Sequence, residues 1–421
     1  MVETVETVIV GGGQAGLATS YHLRRRGREH VVLEQAAQAG SAWRDGRWDS
    51  FTLVTPNWTF RLPGAEYDGD APGGFMPRDE IVATFERYVD RFELPVQYET
   101  RVISVERDER AGGYLVATEH ASFGARNVVV ATGLFQRPRT PSFAADLSDG
   151  ITQLHSSQYR SPGSTPEGAV LVVGSAQSGC QIAEELYRNG RRVYLCVGSA
   201  GRVPRRYRGR DTVEWMNLMG MFDKTVDSLA SPREKFAANP HLSGRDGGRT
   251  LNLHRFARDG VVLLGHLRGV CEDVLRLAPD LHDSLVKVDR SEAELVRMID
   301  AHIAEAGLDA PEESLPNLED GYLAEDVTEL DLRSAGITTV IWAMGYAFDF
   351  SRVRLPVFDN DGYPLQTRGV TGYPGLYFVG LPWLYKRKSG LLLGVGDDAD
   401  FIAAAISGEG DLAVDEGGWK G

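Results

Sequence analysis

Two stretches of the chain share one hydrophobic pattern: an apolar run, a glycine-rich turn, an amphipathic segment and a second apolar run. In the first stretch these parts are residues 7–10, the turn at 11–16, a helical segment that ends at Gly27, and the run 31–33. The second stretch repeats this order between residues 169 and 197. Because apolar runs that alternate with helices form parallel sheets, each stretch predicts a strand–turn–helix–strand unit.

The rest of the chain shows more mixed patterns. Apolar side chains at helical spacing predict helices at residues 79–92, 211–222, 291–305 and 397–407. Short apolar runs predict strands at residues 98–105, 113–118, 127–130, 338–342 and 375–380. Between residues 205 and 330 only two helices are predicted, so the topology of this part stays open.

Composition and charge exclude several classes of partner. The 421 residues are 42% hydrophobic and 25% charged, as in ordinary globular proteins. The formal charge of −14 argues against nucleic acid or an anionic membrane as the main partner. No apolar run reaches the ~18 residues of a membrane-spanning helix, and the early first strand leaves no room for a signal peptide. We therefore expect a cytoplasmic protein without a membrane span.

Cysteine and histidine spacing gives no sign of a disulfide pair or a metal site. Cys180, Cys196 and Cys271 are far apart and form no CxxC motif. The nine histidines show neither HxxxH nor HExxH spacing. The sequence predicts reduced thiols and no bound metal.

The first glycine-rich turn has the spacing of a dinucleotide-binding loop. Glycine at 11 permits a tight turn, glycine at 13 lets the backbone approach a pyrophosphate, and glycine at 16 lets helix and strand pack closely. The helix N-terminus offers N–H groups to the phosphates, and an acid at 34 ends the next strand, where ribose hydroxyls bind. The predicted binding residues are Gly11, Gly12, Gly13, Gln14, Ala15, Gly16, Glu34 and Gln35. The alternative is a tight structural turn.

The second turn repeats the spacing with two differences. Its predicted binding residues are Gly174, Ser175, Ala176, Gln177, Ser178, Gly179, Ser199 and Arg202. Alanine at 176 replaces the central glycine, and the following strand ends without an acid but is followed by three arginines, Arg202, Arg205 and Arg206. Since arginine binds a 2′-phosphate that a carboxylate would repel, the pattern favours NADPH over NADH. Alternatively, these arginines form a solvated surface loop.

The two turns predict an α/β fold with two dinucleotide-binding Rossmann-like domains, the NADPH domain being inserted into the FAD domain. We expect the FAD-binding domain to comprise residues 1–150 and 336–421. The NADPH-binding domain, with a helical insert, is expected at residues 151–335.

Further motifs resemble those of class B flavoprotein monooxygenases, which include flavin-containing monooxygenases, plant YUCCA enzymes and Baeyer–Villiger enzymes. Residues 40–43 resemble the GxxW stretch beside the flavin, which assigns FAD to the first turn. Residues 154–159 resemble the fingerprint FxGxxxHxxxF/Y imperfectly, because the phenylalanine is absent and the glycine is one residue too far from His155. The further cofactor-binding residues predicted are Trp43, Arg44, Val102, Ala131, Thr132, Gly133, Ala343, Met344, Gly345 and Gly380.

The resemblance is strongest to small bacterial members, including a group that accompanies nitrilase gene clusters and shares the stretches at 48–58 and 206–211. It implies that NADPH reduces FAD, that O2 forms a flavin C4a-hydroperoxide, and that an amine or sulfide of a small molecule is oxygenated. Asn57 is the predicted catalytic residue, because the family has an asparagine or a neighbouring polar group near the flavin; alternatively, it is a turn residue after proline. His155 either helps to place the nicotinamide or is a linker residue bonded to the backbone. A homodimer is left open.

Three alternatives differ in their chemistry. Disulfide reductases share both turns but need a redox-active cysteine pair, which this chain lacks. A Baeyer–Villiger reaction on a ketone is a nearer alternative, although Tyr159 stands where those enzymes usually have tryptophan. The third is a redox-sensing flavoprotein without catalytic activity.

Overall fold

Two sheets organise the fold, one formed from the first and last parts of the described residues and the other from the middle part. The computed structural model describes residues 2–409. The first part of the chain contains helices α1 (Gln14–Arg25), α2 (Ser41–Arg44) and α3 (Arg78–Arg91). Its strands are β1 (Val2–Val10), β2 (His30–Leu33), β3 (Arg61–Leu62), β4 (Ala65–Glu66), β5 (Val96–Gln97), β6 (Val102–Asp108), β7 (Gly113–Thr118), β8 (Ser122–Val130) and β9 (Arg137–Pro138).

The middle part contains helices α4 (Gln177–Arg188), α5 (Thr212–Leu218), α6 (Leu253–Arg258) and α7 (Leu281–Ala306). Its strands are β10 (Thr152–His155), β11 (Ala169–Val173), β12 (Val193–Cys196), β13 (Arg206–Tyr207), β14 (Arg210–Asp211), β15 (Leu242–Ser243), β16 (Arg249–Thr250), β17 (Val262–Leu264), β18 (Leu267–Cys271), β19 (Val274–Leu277), β20 (Glu329–Asp331) and β21 (Ile337–Trp342). The last part has β22 (Tyr346–Ala347), β23 (Gln366–Thr367), β24 (Val370–Thr371), β25 (Leu376–Phe378) and α8 (Val395–Ser407).

The first sheet has the strand order β23-β24-β25-β8-β1-β2-β5, and β6 and β7 continue antiparallel from β8. The central strands β1, β2, β8 and β25 are parallel. Helices α1 and α8 pack on one face, while β6 and β7 supply side chains to the core on the other. This arrangement buries all four residues of β2, because both faces of the sheet are covered.

The second sheet repeats this three-layer plan. Its order is β10-β21-β11-β12-β17 with every pair parallel. Helices α4, α6 and α7 cover one face, and the antiparallel strands β18, β19 and β20 cover the other. The protein therefore has an α/β fold with two Rossmann-like domains, the second inserted into the first.

One predicted domain boundary is wrong. Strand β21 lies between β10 and β11 in the second sheet, so the inserted domain continues past residue 335 to at least Trp342. The sequence placed this strand in the first domain because its two neighbours, β10 and β11, are more than 160 residues away along the chain. No helix within residues 2–409 is long and apolar enough to cross a membrane.

Candidate functional site

The first glycine turn has the backbone geometry that a dinucleotide loop requires. Gly11 has a φ of +106°, and a Cβ there would lie 2.8 Å from the Ala131 carbonyl oxygen. A Cβ on Gly16 would lie only 1.9 Å from the Gly11 carbonyl oxygen. In contrast, a Cβ on Gly13 meets nothing within 4 Å. Positions 11 and 16 thus need glycine for the fold, while position 13 leaves open space above the turn.

Glu34 lies directly beside this turn. Its Oε2 accepts a hydrogen bond from the Gly12 N–H at 2.6 Å, and its Oε1 accepts one from Ala36 N–H at 2.8 Å. The segment that leads to Val102 passes here, since the Thr100 N–H donates to the Glu34 carbonyl oxygen at 2.8 Å. An ionised carboxylate accepts about four hydrogen bonds, so Glu34 retains capacity for ribose hydroxyls. The adjacent Gln35 is exposed.

The second turn has nearly the same geometry. Gly174 has a φ of +104°, and a Cβ on Gly179 would lie 1.8 Å from the Gly174 carbonyl oxygen. Ala176 precedes α4 with φ −73° and ψ −174°, close to the −78° and −172° of Gly13 before α1. Neither helix has a side-chain cap, which leaves its first-turn N–H groups available to an anion. These groups belong to Gln14, Ala15 and Gly16 in α1 and to Gln177, Ser178 and Gly179 in α4.

The two turns differ at the position of the ribose-binding acid. Gly11 N–H donates to the Leu33 carbonyl oxygen at 2.9 Å, and Gly174 N–H donates to the Cys196 carbonyl oxygen at 3.2 Å. The residue equivalent to Glu34 is therefore Val197, which is buried. In the second turn a hydroxyl replaces the carboxylate as acceptor: the Ser175 Oγ accepts a hydrogen bond from the Gly198 N–H at 2.9 Å.

Each glycine turn is bordered by a crossover turn from a neighbouring strand. The first crossover turn (Ala131, Thr132, Gly133) follows β8 and the second (Ala343, Met344, Gly345) follows β21, and both end in a glycine with positive φ. His155 supports the second one, since its Nε2 lies 3.0 Å from the Gly345 carbonyl oxygen. Burial lowers the pKa of His155, although this hydrogen bond opposes the shift. His155 is thus bonded to the backbone, as the linker alternative predicts.

The end of the chain completes the first site. A Cβ on Gly380 would lie 2.4 Å from the Cβ of Ala15, so only glycine fits against the start of α1. The Gln14 side-chain amide donates to the Gly390 carbonyl oxygen at 2.9 Å. Trp43 and Arg44 form part of α2 nearby, where Arg44 pairs with Glu86 at 2.7 Å.

Asn57 fixes a loop through its side-chain amide. Its amide donates to the Ala71 carbonyl oxygen at 3.0 Å and accepts from Met76 N–H at 2.6 Å. The side chain is buried and fixes the loop at residues 71–76. These two hydrogen bonds favour a structural role for Asn57, and its catalytic role stays a prediction.

The prediction for Arg202 needs correction. Arg202 is buried and pairs with Asp289 at 2.7 Å and Glu292 at 2.6 Å, both on α7. Its neighbour Arg205 pairs with Asp211, and Arg206 donates to the Gly247 and Gly248 carbonyl oxygens. The three arginines therefore all have partners within the protein; Arg202 and Arg205 are buried, whereas Arg206 and Ser199 are exposed.

Sequence reasoning missed His266, which lies beside Gly198. Pairing of β12 with β17 brings residue 266 next to Gly198, where a Cβ on that glycine would lie 3.9 Å from His266 Nε2. Asp280 orients the ring, its Oδ2 lying 3.0 Å from Nδ1, and Arg268 reaches the same carboxylate at 3.4 Å. No motif marks residue 266, because its position depends on strand pairing over about 70 residues.

The protein matches known sequences over nearly its whole length. Residues 8–213 match the family described as pyridine nucleotide-disulphide oxidoreductase. The chain is 33% identical over 404 residues to an uncharacterized CzcO-like oxidoreductase of Geobacillus kaustophilus, covering 96% of this chain and 98% of the relative. It is 30% identical to the probable indole-3-pyruvate monooxygenase YUCCA3 of Arabidopsis thaliana, over 95% of this chain and 86% of the relative.

The chain belongs to the class B flavoprotein monooxygenase family. The fold agrees: a flavin-containing monooxygenase from Stenotrophomonas maltophilia superposes with a TM-score of 0.65 at 20% identity, covering 97% of this chain and 99% of that one. As a class B flavoprotein monooxygenase, the protein is an oxidoreductase that uses FAD and NADPH. Its three cysteines are free, with Cys180 and Cys196 buried, so a dithiol mechanism has no support among the described residues.

Proposed function

We propose that this protein is an NADPH- and O2-dependent monooxygenase that transfers oxygen to a soft nitrogen or sulfur atom of a small molecule. The observation that carries the proposal is the paired geometry of the two glycine turns, because the segments that follow their crossover turns meet at Phe135 and Tyr346, ring centres 5.2 Å apart. This arrangement suits two dinucleotides that meet at their reactive ends.

The first turn would hold FAD and the second NADPH. The open space at Gly13 fits a pyrophosphate, the start of α1 supplies N–H donors, and Glu34 binds ribose hydroxyls. Bound FAD, once reduced by NADPH, supplies the activation of O2. The protein positions the cofactors and excludes water, while His155 holds the second crossover turn in place.

We assign the 2′-phosphate of NADPH to Ser199 and His266 in place of Arg202. Val197 occupies the position that Glu34 has in the first turn, so no carboxylate there repels such a phosphate. With Nδ1 directed at Asp280, the His266 ring turns Nε2 toward the edge of β12. An Nε2–H there donates a hydrogen bond to a phosphate oxygen.

A stopped-flow experiment tests the proposed activity. FAD-loaded protein is reduced anaerobically with NADPH and mixed with O2, and absorbance is followed between 350 and 500 nm. We expect a species that is neither reduced nor oxidised flavin and that decays faster when a sulfide is present, with sulfoxide as product. Direct return of oxidised flavin with H2O2 for every amine and sulfide offered would contradict the proposal and favour the redox-sensing alternative.

A further inference from the structure

Arg47 is a cation without a carboxylate partner in the part of the chain that the structure describes. Its guanidinium carbon lies 5.6 Å from the ring centre of Trp43, 5.5 Å from that of Phe51 and 5.8 Å from that of Phe135. Its neighbour Arg44 pairs with Glu86, and the nearby carboxylate of Asp49 is taken by Arg78, each at 2.7 Å. Aromatic rings thus surround Arg47 where carboxylates would be usual.

The position of Arg47 places it between the two cofactor sites. Phe135 lies two residues beyond the first crossover turn, and Tyr346 directly follows the second. Strands β9 and β22 join these two segments, pairing Pro138 with Tyr346. Arg47 therefore lies where the segments that leave both dinucleotide turns come together.

Arg160 fixes the backbone that carries Arg47. The Arg160 guanidinium donates to the carbonyl oxygen of Arg47 at 2.9 Å and to that of Asp45. In return, the Asp49 N–H donates to the Arg160 carbonyl oxygen at 2.9 Å. A cation on a fixed backbone loses little entropy when it binds an anion, which favours recognition.

The electrostatics of Arg47 are unfavourable without an anion. Burial lowers the pKa of Arg47, and only the Tyr346 phenol opposes this shift. Arginine nevertheless stays protonated, so the charge needs hydrogen-bond acceptors. Its Nη1 donates to the Gly46 carbonyl oxygen at 2.8 Å. A guanidinium carries five N–H donors, which leaves enough for a bidentate contact to a carboxylate.

Apolar surface lies next to this cation. Phe135 is 69% exposed and Met344, in the second crossover turn, is 42% exposed. A single exposed apolar side chain is ordinary on a protein surface. Here, however, Phe135 lies against Arg47 and Met344 is two residues from Tyr346, so this surface offers apolar groups close to a positive charge. A small molecule with an apolar body and one carboxylate matches that combination.

We propose that Arg47 binds the carboxylate of the molecule that is oxygenated, with Phe135 and Met344 against its apolar part. This inference rests on the proposed function and narrows its substrate class to carboxylates that carry a soft nitrogen or sulfur atom. The phosphates of the coenzyme are a second group of anionic oxygens that Arg47 could bind. The experiment below distinguishes the coenzyme from a carboxylate substrate.

Equilibrium binding tests this assignment without turnover. The probes are (phenylthio)acetate, its neutral analogue (phenylthio)acetamide, and NADP⁺, each titrated into the oxidised FAD-loaded protein by calorimetry and flavin absorbance. We expect (phenylthio)acetate to bind Arg47→Gln at least tenfold more weakly than it binds the unaltered protein, with partial recovery of affinity in Arg47→Lys. The affinity for (phenylthio)acetamide should not change in either variant. The control is Arg87→Gln, which removes an exposed arginine of α3. FAD content and melting temperature show whether each variant is folded.

Each other outcome would overturn the inference. If the unaltered protein binds the amide as well as the carboxylate, no anion is recognised. If Arg47→Gln weakens NADP⁺ but not (phenylthio)acetate, the arginine serves the coenzyme. If neither probe binds, the substrate class is wrong. The binding measurement does not depend on O2 chemistry. If Arg47 recognises the carboxylate but the stopped-flow test fails, only the monooxygenase proposal is refuted.

Discussion

Single glycines in the two turns differ in what they do. Positions 11 and 16, like 174 and 179, face backbone oxygens that leave no room for a side chain. Position 13 faces open space and has a φ of −78°, which any residue can adopt. The natural alanine at 176 in the second turn shows that a methyl group is compatible with this backbone.

This contrast predicts separate effects for two glycine-to-alanine substitutions. Gly13→Ala should leave the melting temperature of the cofactor-free protein unchanged or slightly higher, while FAD binding weakens about tenfold because the methyl group enters the pyrophosphate space. Gly16→Ala should destabilise the fold by about 3 kcal/mol through overlap with Gly11. Thermal unfolding and FAD titration measure both effects. Unaltered FAD affinity in Gly13→Ala would contradict the site assignment.

The sequence identifies residues whose role follows from local backbone geometry, and fails where a distant partner decides the role. The glycines and Glu34 follow from spacing alone. Asn57 and Arg202 do not, because the loop at 71–76 and the carboxylates of α7 that occupy them cannot be seen from neighbouring residues. His266 becomes visible only once β12 and β17 are paired.

Among the elements, helix α7 depends on a buried polar network. Arg202, in the loop after β12, reaches Asp289 and Glu292 on this helix. Asp289 also interacts with His254 Nε2 at 3.0 Å and accepts from the Tyr322 hydroxyl at 2.5 Å. The pKa of Asp289 would be raised by burial, but these hydrogen bonds and Arg202 lower it overall. The network thus joins α7 to α6 and to the edge of the second site.

Substitutions of Arg202 and of His266 should have separate effects, the first on stability and the second on coenzyme choice. Arg202→Gln leaves two carboxylates of α7 without their cation and should cost roughly 3 kcal/mol of stability, with the NADP⁺ to NAD⁺ affinity ratio preserved. His266→Gln should lower NADP⁺ affinity about tenfold and leave NAD⁺ affinity and the melting temperature unchanged. Arg255→Gln, an exposed arginine of α6, is the control. A changed coenzyme ratio in Arg202→Gln would restore the original assignment of that arginine.

The elements that the sequence predicts well are those buried on both faces. Residues 8–10 of β1, all of β11 and residues 340–342 of β21 are apolar without interruption, because helices or strands cover both sides of each sheet. Antiparallel strands β18, β19 and β20 were missed, since they are short and each has one exposed face. Helix α7 begins ten residues before its predicted start, although its buried residues at 281, 284, 285 and 288 have the spacing of an amphipathic helix.

Across the whole molecule, buried histidines set the response to acid. Burial lowers the pKa of His22, His30, His155 and His241, the last to about 4. The unfolded chain binds protons near pH 6.5, whereas these folded sites resist protonation. Their contribution to stability is therefore complete above pH 6.5 and is lost as the pH falls from there toward 4.

His241 makes this prediction specific. It is fully buried beside Arg202 and should account for about 2 kcal/mol of the stability lost between pH 7.5 and pH 5. Urea unfolding at both pH values should show a smaller loss for His241→Gln than for the unaltered protein. The control His282→Gln, at an exposed position of α7, should behave like the unaltered protein. An equal loss in His241→Gln would show that this histidine does not control the response.

The interleaving of the two sheets has a consequence for synthesis on the ribosome. Both glycine turns have been synthesised once residue 179 is added to the chain. At that stage β11 still lacks its neighbour β21, and the first turn lacks Gly380 and Gly390. At ordinary translation speeds the nascent chain carries an unpaired β11 edge for on the order of ten seconds. Such an edge invites aggregation, so a chain that terminates before β21 should be a substrate for chaperones and proteases.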